Sequence, residues 1–248
     1  GQWLDRRPTV AVQGAMAVYT SELDATAGAS PEILLQDRLE AGRKQLEAAR
    51  EALAQPEPWL LAAAMTSWTL QHYALIIWLT PFLREQRDLA APLVALLSCL
   101  MVLANVPGNL IGGMLLQRHF HRGNLIVGAN VVTALCGLGI FTDVLPDLVR
   151  YGLCLLLSFT GGLVPASVLS SSASYARTAR QIGTLQGLYM QFGNIGPFIG
   201  PPLIAMLVAA SGRWEDAMYV TGSAALCGIG LGLLIRKREM KAAGATRA

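Results

Sequence analysis

Residues 59–82 read WLLAAAMTSWTLQHYALIIWLTPF, and no Asp, Glu, Lys or Arg interrupts them. About 20 apolar residues in a helix cross a hydrocarbon layer roughly 30 Å thick. This stretch is long enough, and five others follow: Ala91–Leu116, Asn124–Thr142, Val149–Ser170, Gly183–Ala209 and Ala217–Ile235. Arg150 is the one charge inside the six; at the start of the fourth it is expected to snorkel to the interface. All other charges fall between the stretches or in the tails. The expected fold class is all-α: a polytopic membrane protein of six transmembrane helices.

Composition excludes the alternatives. Of 248 residues, 53% are hydrophobic and 14% charged, and mean hydropathy is +0.45. An ordinary soluble domain carries about 25% charged residues, and a disordered chain needs low hydrophobicity with high charge. The net charge of +3 divides unevenly. Residues 1–58 hold six Lys/Arg and nine Asp/Glu, whereas residues 59–248 hold thirteen and seven. A soluble segment is thus joined to a membrane segment near Pro56–Pro58. The expected domains are a cytoplasmic segment over 1–58, a six-helix domain over 59–238 and a cytoplasmic tail over 239–248.

The positive-inside rule sets the orientation. Residues 117–123, 171–182 and the C-terminal tail carry nine cations, with Glu239 as their only acid. The opposite side carries Arg84, Arg87, Arg150 and Arg213 with six acids. The C-terminus and the N-terminal segment are therefore expected in the cytoplasm, with the chain in the plasma or inner membrane. Trp59, Trp78 and Trp214 lie near span ends, where aromatic belts form. The beginning of the chain lacks the basic and apolar regions of a signal peptide.

Residues 1–29 show no clear period, and their one apolar run, Val10–Val18, is too short to span. Ser30-Pro31 is a good helix start. Leu35, Leu39, Gly42, Leu46, Ala49 and Leu53 then alternate by four and three until Pro56. That pattern predicts an amphipathic helix over about 31–55, packing on the membrane domain or on a neighbour.

Polar groups in hydrocarbon are costly, so they should face the bundle interior or a wet cavity. The first span has Gln71-His72-Tyr73 at its middle, with Trp68 one turn earlier on the His72 face. His72 has two readings. It binds substrate or carries a proton, or it is a neutral histidine bonded to a neighbouring helix. The second span holds Asn105, Pro107, Gly108 and Asn109, and the fourth Ser158, Thr160, Gly161-Gly162 and Pro165. The fifth is the most irregular, with Gln186, Tyr189, Gln191 and Asn194 before Gly196-Pro197 and Gly200-Pro201-Pro202. Interrupted helices near the midplane are typical of transporter sites and gates, though prolines also kink helices for structural reasons alone. Asn105, Gln191 and Asn194 either line a pathway or act as interhelical glue. The third and sixth spans carry fewer strong hydrogen-bonding side chains and are expected at the periphery. Gly108–Gly112, Gly196–Gly200 and Gly228–Gly232 are GxxxG pairs, a spacing that suits close helix packing.

Cys99, Cys136, Cys154 and Cys227 all fall in apolar stretches without metal-ligand spacing. They are expected to be small buried hydrophobes. No metal, no cofactor and no nucleic-acid partner is expected.

Residues 113–122 read GMLLQRHFHR. They resemble the signature loop of the major facilitator superfamily, Gly-x-x-x-Asp-Arg-x-Gly-Arg-Arg, at Gly113, Arg118 and Arg122. Gln117 replaces the acid, Phe120 the glycine and His121 an arginine. Gly183 to Gly187, with Gln191, Asn194 and Gly200-Pro201-Pro202, is similar to the fifth helix of that family's C-terminal half. It resembles the branch with cyanate- and nitroimidazole-type transporters. The resemblance covers residues 59–238. It implies a C-terminal half of six helices, a central loop before it, and a missing N-terminal six-helix half as partner. It also implies that the first and fourth spans line a cavity, that the second and fifth meet the other half, and that the signature loop is a conformational latch. The loss of the acid at Gln117 bears on that latch.

The function expected is secondary active transport of a small solute across the lipid bilayer by alternating access. The expected substrate-binding residues are Trp68, Gln71, His72, Tyr73, Asn105, Gln191 and Asn194. The expected latch residues are Gly113, Arg118 and Arg122. A non-transporting six-helix scaffold or receptor is the alternative, with Pro31–Gln55 as its interaction element. An intramembrane serine protease finds little support. Ser170-Ser171-Ser172 has no Gly-x-Ser-Gly around it, and the three histidines are His72, His119 and His121. No catalytic residues are expected.

Overall fold

The structure is a computed structural model, and it describes residues 31–81, 83–84, 88–141 and 145–245. The apolar run Val10–Val18, the cap at Ser30 and the span end at Phe82 lie outside the described residues.

The chain forms two units, one ending at Ala48 and one running from Ala49 to Ala248. In the first unit, the helix that begins at Pro31 leaves Leu35, Leu39 and Leu46 exposed. It ends at Leu53, in the second unit.

The second unit contains six helical spans: Pro56–Pro81, Ala91–Gln117, Arg122–Phe141, Asp147–Tyr175, Ala179–Ser211 and Ala217–Ala242. All six are long and apolar enough to cross a membrane, and the described residues contain no strand. The protein is an all-α polytopic membrane protein. The last helix continues to Ala245, so Glu239 lies within it and not in a tail.

Two spans are interrupted at single residues that keep right-handed helical backbone angles. In the second the interruption is Ala104, between Ala91–Leu103 and Asn105–Gln117. In the fourth it is Gly162, between Asp147–Gly161 and Leu163–Leu169, and again Ser170 before Ser171–Tyr175. The breaks face each other. A Cβ on Gly162 would lie 2.5 Å from the Asn105 carbonyl oxygen and 2.7 Å from the Asn109 amide nitrogen. One on Gly108 would collide with the Phe159 carbonyl. The fifth span runs as one helix through Pro197, Pro201 and Pro202.

Each GxxxG pair sits at a helix crossing. Gly108 and Gly112 abut the fourth span at Phe159, Leu163 and Ala166; Gly196 abuts Thr69 of the first; Gly228 and Gly232 abut Asn130 and Val127 of the third. Small residues let backbones approach this closely, where dispersion and interhelical bonds hold the helices.

The first span packs between the fifth and the sixth, and the sixth packs along the third. The second and fifth are the least buried, leaving Leu93, Leu96, Leu110, Met114, Met190, Phe198 and Met206 exposed. The first span is buried at its centre, with Leu61, Ala62, Ala64, Ala74, Leu75, Trp78 and Leu79 almost wholly covered.

Arg150 does not snorkel. It is 1% exposed, its Nε donates to the Ile140 carbonyl at 2.7 Å, and its guanidinium lies 5.3 Å over the Trp78 ring. Trp78 in turn meets Phe141 edge-on at 5.1 Å. A bonded guanidinium among rings is tolerated where a bare charge is not.

Candidate functional site

The middle of the first span presents two faces with different chemistry. Neighbouring residues on a helix point about 100° apart, so Gln71 and His72 meet different neighbours although each lies about one turn after Trp68.

On the Trp68–His72 face the rings stack, with centroids 5.4 Å apart and planes 21° from parallel. His72 is 7% exposed. Gly161 of the fourth span lies against the indole; a Cβ there would come 2.8 Å from Trp68 Nε1. Trp68 Nε1 and His72 Nδ1 are buried, and neither has a hydrogen-bond partner among the described residues. The hydroxyl of Ser158, one turn before Gly161, is also buried and partnerless among them. Tyr73 meets His72 edge-on at 6.0 Å and is itself exposed. A buried polar atom that nothing supplies with a partner costs roughly 1–3 kcal/mol by mutational measure.

To the other side of Trp68, Gln71 is fully engaged. Its Nε2 donates to Asn130 Oδ1 at 2.8 Å and to the Ser67 carbonyl at 3.2 Å, and its Oε1 accepts from Thr133 at 2.7 Å. Asn130 Nδ2 donates to the Ile126 carbonyl at 2.8 Å. Gln71 thus ties the first span to the third. Asn130 and Thr133 do not stand out in the sequence; the GxxxG at Gly228, which makes room for Asn130, is the signal that points to them.

Asn105 is committed between helices as well. Its Nδ2 donates to the Ser158 carbonyl at 2.8 Å, and its Oδ1 accepts from Asn109 at 2.7 Å. Gln191 and Asn194 are exposed on the fifth span. The structure therefore brings Trp68, His72 and Tyr73 together, turns Gln71 and Asn105 into interhelical ties, and leaves Gln191 and Asn194 on an open face. A second polar seam joins the fourth and fifth spans: Ser171 donates to Tyr189 at 2.9 Å, and Gln186 to Ser172 at 2.8 Å and to the Leu169 carbonyl at 3.0 Å.

At the basic end, the loop after the second span closes with His119 at φ 64. The amide of His119 donates to the Leu116 carbonyl and that of Phe120 to the Leu115 carbonyl, at 3.0 and 3.1 Å. This is a Schellman closure, in which a hydrophobic residue such as Phe120 suits the last position. Arg122 donates to Ser174 at 2.7 Å and lies 3.9 Å from Glu239, whose other oxygen accepts from the Gly123 amide at 3.2 Å. His121 Nδ1 is also 3.9 Å from Glu239. These groups line a cavity of about 520 Å³. Glu239 on the last helix is thus the acid that Arg122 and His121 meet. The sequence suggests a tail position for Glu239, although its standing as the sole acid among nine cations is a signal. Gly113 has open space where a Cβ would lie, and Arg118 is exposed. No group of three potential metal ligands exists among the described residues.

Six apolar spans, two of them interrupted at apposed small residues, leave a polar face at mid-span that is partnerless among the described residues. The Major Facilitator Superfamily model matches residues 11–201, and the chain belongs to that superfamily. Over 66% of its length the chain is 28% identical to the probable sulfoacetate transporter SauU of Cupriavidus necator. The chain spans 38% of the length of that relative.

Proposed function

We propose that this chain works as the C-terminal six-helix half of a secondary active transporter that carries a small polar solute by alternating access. The missing N-terminal half completes the solute pathway. The protein acts without enzymatic chemistry, in the plasma or inner membrane, with its basic end and C-terminus in the cytoplasm. Trp68, His72 and Tyr73, with Gln191 and Asn194 on the exposed face of the fifth span, bind the solute; Gln71 and Asn105 hold the helices that present them. Glu239, Arg122 and Ser174 form the latch at the cytoplasmic end.

One observation carries this reading: Trp68 Nε1, His72 Nδ1 and the Ser158 hydroxyl are buried near mid-span with no protein partner among the described residues. An indole N–H is a donor only, and imidazole offers donor or acceptor by tautomer. Such a set suits an oxyanion or carbonyl oxygen. A small organic acid is the first class to test, given the sulfoacetate named for the relative. Among the described residues no charged side chain lies at mid-span on this face, so countercharge for an acid comes from the other half.

The test is uptake of labelled sulfoacetate and other small sulfonates and carboxylates by cells expressing the complete reading frame. One hydrogen bond to a charged solute is worth about 1.5–3 kcal/mol, so Trp68→Phe and His72→Phe should each lower uptake by about tenfold or more. Unchanged uptake in both, at normal surface expression, refutes the assignment. Uptake of none of these solutes refutes the substrate class.

A further inference from the structure

We infer that the seam between the first and sixth spans holds one anionic phospholipid. The fifth and sixth spans both pack along the first but barely touch each other, so the first span floors an outward-facing groove between them. Two cavities lie on this seam. One, of about 260 Å³, is apolar and lined by Ala63, Leu70, Phe192, Ala224 and Cys227. The other, of about 660 Å³, is lined by Glu57, Leu234, Lys237, Arg238 and Lys241.

Their spacing matches one molecule. Ten residues of helix separate Cys227 from Lys237, about 15 Å along the axis, which is about half the hydrocarbon thickness and hence one acyl chain. Between them Gly230 and Leu234, both exposed, continue the same strip of the sixth span.

Charge complements a phosphate at the upper end. Arg238 is taken by Glu57 at 2.9 Å. Lys237 and Lys241, one turn apart and both exposed, make no ion pair with any described acid. Two free ammonium groups over an apolar strip at the headgroup level recognise an anionic lipid, whose phosphate they meet while its chain fills the groove. A free phosphate lacks the chain and leaves the lower cavity unfilled. This inference is independent of the solute-binding reading.

The complete transporter, purified in detergent, is incubated with phosphatidylglycerol, phosphatidylcholine or glycerol phosphate, and retained ligand is counted by native mass spectrometry. One phosphatidylglycerol should remain, with phosphatidylcholine held about fivefold less or weaker still. A basic residue near an anionic headgroup is worth about fivefold, so K237Q/K241Q should lower phosphatidylglycerol retention by about 25-fold. Ala63→Phe, which narrows the lower cavity, should lower retention with the lysines intact. Equal retention of the two lipids, indifference to K237Q/K241Q, no retained lipid, or competition by glycerol phosphate as effective as by the lipid overturns the inference. The lysines are exposed, so their variant should melt with the parent.

Discussion

Gly162→Ala is the sharpest probe of how this bundle is built. The added methyl would stand 2.5 Å from the Asn105 carbonyl oxygen, 2.7 Å from the Asn109 nitrogen and 3.0 Å from the Gly108 carbonyl carbon. All three are backbone atoms, so no rotamer change relieves the contact. Ordinary contact begins at 3.4 Å, and the second span must therefore retreat by about 0.9 Å at its own break. Overpacking of this kind costs about 1–3 kcal/mol. The retreat also stretches the 2.8 Å bond from Asn105 to the Ser158 carbonyl, and an interhelical bond in a membrane is worth about 0.6 kcal/mol, at most about 1.7. The expected loss is about 2–4 kcal/mol. Gly152, on the same span, is the control, because a methyl added there would meet nothing within 4 Å. Its change to Ala should be neutral or stabilising by up to about 1 kcal/mol. Reversible unfolding in mixed micelles measures both. If Gly162→Ala unfolds within about 0.5 kcal/mol of the parent, the apposed breaks are not a packed contact.

Gln71→Leu removes both bonds to the third span and orphans Asn130 Oδ1; it should cost about 1–3 kcal/mol, while the solute affinity of the protein that folds stays near the parent value. A lost affinity with unchanged stability would put Gln71 in the binding site instead. His119→Gly relieves a left-handed residue at φ 64 and should stabilise by about 0.5–1 kcal/mol, net of the added freedom of the unfolded chain. The same unfolding measurement reads it, and destabilisation would contradict the closure described. In a double-mutant cycle, Arg122→Gln and Glu239→Gln should couple by about 1 kcal/mol; additivity would deny the latch pair. The Ser211 hydroxyl, and after it the Arg213 guanidinium, hold the Asp216 carboxyl below the usual carboxylate range. A depressed native pKa stabilises above the unfolded value and is lost as pH falls through the native one. Thermal scans below about pH 5 should therefore show the parent losing more stability than Asp216→Asn; equal slopes would refute the linkage.

The six spans are legible because lipid imposes one rule on composition, and residues 59–82 obey it without exception. The helix breaks are legible as well, since Gly161-Gly162 and Asn105 near Pro107 weaken a helix by their backbone freedom and missing donor. Which face each polar residue takes is harder to read. Gln71 and His72 are adjacent in the chain, yet one is spent on Asn130 and Thr133 while the other keeps a free ring nitrogen. Only the position of the third span decides between them, and no local pattern encodes it. Arg150 departs from the expected snorkel for a related reason: its depth is set by the Ile140 carbonyl and the Trp78 ring, neither of them a helical neighbour. Glu239 is hidden by a boundary, because the last helix outruns its apolar stretch and carries the acid to Arg122.

The glycine crossings have a consequence for motion. Second against fourth, fifth against first and sixth against third, the spans touch through glycines that bring no side chain of their own to the contact. A bundle clasped in that way has little internal give, so under the alternating access proposed above it would swing as one piece. The pivoting surfaces of that proposed motion would be the bare flanks of the second and fifth spans, where exposed leucines, methionines and Phe198 offer soft material to slide on.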